Sequence, residues 1–192
     1  MKRQLGTVAV TLALTGATLA GAAGTAGAAT TAAGPAGTPA ACSNPWGSGV
    51  KSAADPTTGH LSDIRTGRHA CYDRMVFDIG ATNRNTGYHV GYVDAFHQDG
   101  SGDPIPVAGG AILQIYVNAP TRNLSTGQET YPARGKQPLP GVDITGYQTF
   151  KDHKFGASFE GQSQVGLGVR AKLPFRVTRT TTQIVVDVAH AW

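Results

Sequence analysis

A regular alternation of apolar and polar residues sets in at residue 74 and recurs to the end of the chain. Met75, Phe77 and Ile79 alternate with Arg74, Val76 and Asp78, the period of two expected of a half-buried strand. The same period returns in Tyr88, Val90 and Tyr92 against His89, Gly91 and Val93, and again in Ile184, Val186 and Val188. Residues 111–119 (AILQIYVNA) are almost continuously apolar and predict a central strand covered on both faces. Residues 164–170 (QVGLGVR) put Val165, Leu167 and Val169 on one side and only Gly166 and Gly168 on the other. The bare side predicts close approach of another backbone or of a bulky ring.

Shorter strands are expected at 105–107, 142–150, 155–159 and 175–177, with Gly, Asn and Pro turns between them. Small helical turns fit only near Arg65 or within 150–162. Residues 120–140 are polar and broken by Pro and Gly, and a loop of that length in a compact domain is more often functional or mobile than neutral. About seven to nine short strands with regular turns and no sustained helical period predict an all-β fold, a single β-sandwich domain.

Upstream the pattern differs. Lys2 and Arg3 precede an interrupted apolar run over 5–20, which ends in Ala26-Gly27-Ala28. That order is the one found in a secretory signal peptide, with cleavage expected after Ala28. The run is too broken by Thr and Gly for a spanning helix, so no transmembrane segment is expected in the mature form. Cys42 resembles a lipidation site only superficially, since Pro35 and Pro39 separate it from the apolar run. Residues 29–57 predict a flexible Ala/Gly/Thr/Pro linker followed by an irregular arm that carries Trp46 and Val50. The domain proper is expected over 58–192, in a secreted protein.

Composition narrows the chemistry. Of 16 basic residues, removal of Lys2 and Arg3 leaves 14 against 12 acidic ones, a net charge of +2. That is too little to argue for a nucleic-acid partner. In an exported chain the two cysteines allow one intramolecular disulfide, Cys42–Cys71, worth roughly 3–4 kcal/mol in the chain-entropy picture. The six histidines (60, 69, 89, 97, 153, 190) show no HxH, HxxxH or HExxH spacing, so neither a metal site nor a cofactor is expected. Residues 99–103 read as a tight turn in preference to a calcium loop. No G-x-S-x-G elbow occurs, and Asp78, Asp94, Glu160 and Asp187 read as exposed or Arg-paired carboxylates in preference to a catalytic pair. A non-enzymatic role is expected.

Residues 66–79 (TGRHACYDRMVFDI) concentrate the remaining polar chemistry. Arginine forks at Arg68 and Arg74 suit carboxylate or phosphate groups, and Tyr72 suits stacking on a sugar. The competing reading is a structural polar network in which Asp73 and Arg74 hold each other or a neighbour and pin the strand entry. It is favoured for those two residues, whereas Arg68, His69 and Tyr72 stay open.

These residues also carry a family resemblance. TGRHxCYDRMVFD at 66–78, GYHVGYVD at 87–94, DGSG at 99–102, FEGQ with LGVR at 159–170, PFRV at 174–177 and VVDVAH at 185–190 together resemble the AMIN-like domain of exported actinobacterial proteins and lipoproteins. The resemblance covers about 60–192. It implies a non-catalytic β-sandwich similar to the modules that bring cell-wall amidases to peptidoglycan. Arg68, His69, Tyr72, Tyr88 and Tyr92 are then the expected contact surface for a cell-wall glycan or an envelope protein. The alternative is a protein-interaction or inhibitor module using the 120–140 loop.

Overall fold

The computed structural model describes Cys42, 44–56, 59–80, Thr82 and 84–192. The expected signal peptide (1–28) and most of the linker (29–41) lie outside the described residues. Among the described residues, nine strands form two antiparallel sheets and there is no helix. The strands are β1 (Lys51–Ala53), β2 (His60–Arg68), β3 (Tyr72–Gly80), β4 (Tyr88–Val93), β5 (Ala111–Val117), β6 (Phe150–Phe159), β7 (Gln162–Val169), β8 (Phe175–Arg179) and β9 (Gln183–Ala189). One sheet, here the five-stranded sheet, runs β1-β4-β5-β7-β6; the other, the four-stranded sheet, runs β2-β3-β9-β8. The two pack face to face as a β-sandwich.

Alternation decides what faces what. Met75, Phe77, Ile184, Val186 and Val188 from the four-stranded sheet are fully buried against Val90, Leu113, Ile115, Val117, Val165, Leu167 and Val169 from the five-stranded one. Each such side chain contributes about 1.5–3 kcal/mol by leaving water. Residues 120–149 close the side of the sandwich between β2 and β6. Pro120 and Thr130 bond the backbone of Leu61, and Tyr131, Ala133 and Leu139 are buried. His153 anchors the same segment, because its Nδ1 accepts the Leu139 N–H at 2.9 Å. Burial holds the His153 ring below the ordinary imidazole pKa.

Several expectations are corrected. Residues 60–68 form β2 with no helical turn; a bulge between Leu61 and Asp63 spaces the inward residues Leu61 and Ile64 by three, which breaks the period of two. Residues 142–149 form turns, and the strand starts at Phe150. Val142, Ile144 and Tyr147 still lean on the core from those turns, so their alternation reflects burial without ladder bonding. Residues 105–107 are not a strand; a single bridge joins His97 to Pro104. The arm at 44–56 is not wholly irregular, since β1 pairs with β4 through Lys51–Val90, Ser52–His89 and Ala53–Tyr88.

The glycines of β7 meet what the sequence predicts. The Phe96 ring lies on Gly166, where a Cβ would stand 2.7 Å from it, and the Ala108 carbonyl occupies the place of a Cβ on Gly168. The 94–110 loop is thereby laid flat on the outer face of the five-stranded sheet. Gln164 locks it there, accepting from Asp99 N at 2.9 Å and donating to His97 O at 2.8 Å and to the Tyr116 hydroxyl at 3.1 Å.

Candidate functional site

The tight connection between β2 and β3 is closed by His69 N donating to Tyr72 O at 3.0 Å. Cys71 in this turn is disulfide-bonded to Cys42, with 5.4 Å between their Cα atoms. The bridge holds the N-terminal arm at the start of β3, as expected from the cysteine count. From Cys42 the arm crosses toward β8, where Gly47 O accepts from Phe175 N at 2.9 Å. Trp46 is thereby set over the outer face of the four-stranded sheet.

Period two sends Tyr72, Arg74, Val76 and Asp78 outward from that sheet. Their cross-strand neighbours build an aromatic and ionic ladder. His69 stacks on Tyr72 at 4.4 Å between ring centroids, and Trp46 meets Tyr72 edge-on at 5.6 Å. The Arg176 guanidinium lies 4.4 Å from the centre of the Trp46 ring. One step along, Asp187 on β9 sits between Arg74 of β3 and Arg176 of β8. It accepts from Arg74 Nε at 2.6 Å and Nη2 at 2.9 Å, and from Arg176 Nε at 2.8 Å. The Asp187 side chain is fully buried under these two guanidiniums. At the far end Arg65 and Gln183 bind Asp78 at 2.6 and 2.8 Å. Burial pushes the Asp78 carboxyl up, but the hydrogen bonds from Arg65 and Gln183 outweigh it and hold the group below its ordinary value.

The five residues named as a contact surface do not share one. Arg68, His69 and Tyr72 lie together at the β2–β3 turn. Tyr88 and Tyr92 are on β4 of the other sheet and turn toward the interior. The Tyr92 hydroxyl donates to Leu173 O at 2.8 Å and accepts from Leu173 N at 3.1 Å, and burial raises its pKa to about 12. The ring packs edge-on against Phe175 at 5.6 Å. Tyr72 itself is engaged by His69, Trp46, Arg74 and Arg176.

Asp73 and Arg74 do not hold each other. Alternation points Asp73 inward, where it is fully buried and accepts from Thr149 N at 2.6 Å and Phe150 N at 3.2 Å, with His190 Nε2 at 3.1 Å. It ties β3 to the entry of β6 and to the C-terminal end of the chain. Arg74 points outward to Asp187.

Arg68 stands apart. It is exposed, its side chain makes no hydrogen bond or ion pair among the described residues, and its guanidinium lies beside Gly146. In the arm, between Cys42 and Trp46, the Asn44 Nδ2 is a buried donor with no hydrogen-bond partner among the described residues. A buried unpaired amide of this kind costs roughly 1–3 kcal/mol. Among the described residues no three His, Cys, Asp or Glu side chains converge as a metal site. Asp78 and Asp187 are each Arg-paired, whereas Asp94 and Glu160 are exposed elsewhere.

Reasoning from residue type overlooked Arg176 and did not bring Trp46 or the Arg-paired Asp187 together with it. The signal was present in the alternation, since PFRV at 174–177 and VVDVA at 185–189 put Arg176 and Asp187 on the outward positions that Arg74 occupies on β3.

A family model, the AMIN-like domain, matches residues 59–190, and the chain belongs to that family. Searches of curated protein sequences and of solved structures return no significant match.

Proposed function

We propose that this protein is an exported, non-catalytic module of the cell envelope that binds peptidoglycan or an envelope partner through the β2–β3 turn. The observation that carries the reading is the Arg68 guanidinium, which is exposed at the end of β2 with no side-chain hydrogen bond or ion pair among the described residues. Donors without acceptors suit a ligand rich in carboxylate and carbonyl oxygen, as a peptide-substituted glycan is. Family membership and the disulfide are both compatible with an extracytoplasmic location. The test is co-sedimentation with purified peptidoglycan. Wild-type protein is expected to be retained above an unrelated secreted domain of similar charge. Arg68→Ala, at an exposed position, is expected to lower retention about tenfold, the loss of a charge-assisted contact of roughly 1.4 kcal/mol. Retention no better than the control sinks the reading.

A second reading, an interaction module built on the 120–140 loop, is favoured by one detail. Much of the loop is exposed, and Leu124 is 67% exposed at the tip of a turn held by Asn123 Oδ1, which accepts from Ser125 N at 2.9 Å. Loss of wall retention on Leu124→Ser, with Arg68→Ala inert, would move the function to that tip.

A further inference from the structure

On the five-stranded sheet, away from the β2–β3 turn, a groove of about 420 Å³ opens on the outer face where β1, β4 and β5 meet. That size falls within the roughly 300–1,000 Å³ of small-molecule sites. Its walls include Ser52, Tyr88, His89, Tyr116, Asn118 and Gln162, and among the described residues no Lys, Arg, Asp or Glu lines it. His89 and Tyr116 are directly opposed across β4 and β5, so two ring-bearing side chains share one outward face.

The groove is held in place from behind. Gln164, itself buried, donates to the Tyr116 hydroxyl at 3.1 Å and fixes the ring, leaving the hydroxyl proton free to donate. Asn118 Nδ2 donates to Asp55 O at 2.7 Å, which fixes the amide and leaves its Oδ1 free to accept. Gln162 is half-buried, and its amide makes no side-chain hydrogen bond among the described residues. A fixed Tyr116 ring facing the His89 ring, with free amide and hydroxyl groups and no Lys, Arg, Asp or Glu among the described residues, defines a specific chemistry. An anion finds no Lys or Arg among the described residues of these walls, and a purely apolar ligand would leave the amides unpaired. A pyranose satisfies both demands. Its axial C–H groups meet the electron-rich ring faces, and its hydroxyls pair with the amides in both directions.

We propose that this groove is a binding site for a neutral saccharide, separate from the β2–β3 turn. The proposal does not rest on the wall-binding reading, because the two sites lie on different sheets and ask for different ligands. The experiment titrates the full chain with chitotriose and with cellotriose at millimolar concentration, followed by amide chemical shifts. At least one of the two is expected to bind and to shift His89, Tyr116 and Gln162. His89→Ala, at an exposed position, and Tyr116→Ala are each expected to weaken that binding about tenfold, whereas Tyr116→Phe keeps the ring and most of the affinity. Arg68→Ala is expected to leave it unchanged. A thermal melt of each variant confirms that it is folded, and His89→Ala carries the test should Tyr116→Ala unfold. No binding of either trisaccharide overturns the proposal, as does binding that His89→Ala leaves intact. Trisaccharide binding without wall retention would uphold this site while removing the proposed function, and the reverse result would do the opposite.

Discussion

Both sheets of the sandwich have an outer face with a segment of chain laid on it, and the two covers are secured differently. The 94–110 loop lies on the five-stranded sheet because β7 offers no side chains there. Phe96 and the Ala108 backbone fill the space above Gly166 and Gly168, and Gln164 supplies the polar closure. The N-terminal arm meets a ladder of large, charged side chains on the four-stranded sheet and finds no hollow to fill. It is held at its ends, by the disulfide to Cys71 and by β1 pairing to β4, with Trp46 resting on Tyr72 and Arg176 between them. A cover that fits can be secured by packing, whereas one that lies over a ladder needs a covalent tie.

The comparison can be broken from either side. The largest effect is expected from removing the tie. Cys42→Ser with Cys71→Ser should cost about 3–4 kcal/mol. Hydrogen exchange should accelerate in Lys51–Ala53 and at Phe175, while amides bonded under the other cover, such as Gln98 and Gly110, stay protected. Equal loosening of both covers would mean that the arm stabilises the whole sandwich and not its own face alone. Next comes Gly168→Val, which should cost about 2–3 kcal/mol by forcing the Ala108 backbone off the sheet. Here the protection pattern should invert, with the 94–110 loop opening and the arm unmoved.

The smallest effect tests the ladder. Asp78→Asn weakens a pair whose Arg65 partner is half-exposed, so a loss under about 1 kcal/mol is expected at neutral pH. The sign of its pH dependence is fixed by the lowered carboxyl. The unfolded chain holds its proton more tightly than the folded one, so the stabilisation is complete above the ordinary value of 3.8. It is lost as pH falls through the lower folded value. Urea melts of wild type and Asp78→Asn should therefore differ at neutral pH and converge in strong acid; a gap that persists in acid would assign the effect to packing.

What could be read from the sequence follows from how far each element depends on its own residues. β3 and β9 carry strict alternation, so Met75, Phe77, Ile184 and Val186 declared their burial. Gly166 and Gly168 announced a cover because a glycine pair on one face of a strand asks for one. β2 was hidden, since the Leu61–Asp63 bulge offsets the spacing that would have revealed it. β1 was hidden because three residues hold no period, and its pairing is secured by a bridge and by a partner strand distant in sequence. The site divided in the same way. Cys42–Cys71 followed from counting. Tyr88 and Tyr92 were chosen by residue type, yet the alternation that buries Val90 turns them inward with it. Asn44 is unmatched only in three dimensions, and no one-dimensional pattern carries that information.

The position of the Cys42–Cys71 bridge has a mechanical consequence. The arm enters the four-stranded sheet at Cys71, the residue before β3, and β3 is hydrogen-bonded on both sides, to β2 and to β9. A pull on the chain upstream of Cys42 is therefore delivered through sulfur into an inner strand, where the ladders on either side share the load. With the bridge opened, the same pull would fall on the arm and on the three residue pairs that join β1 to β4. It would peel them from one end.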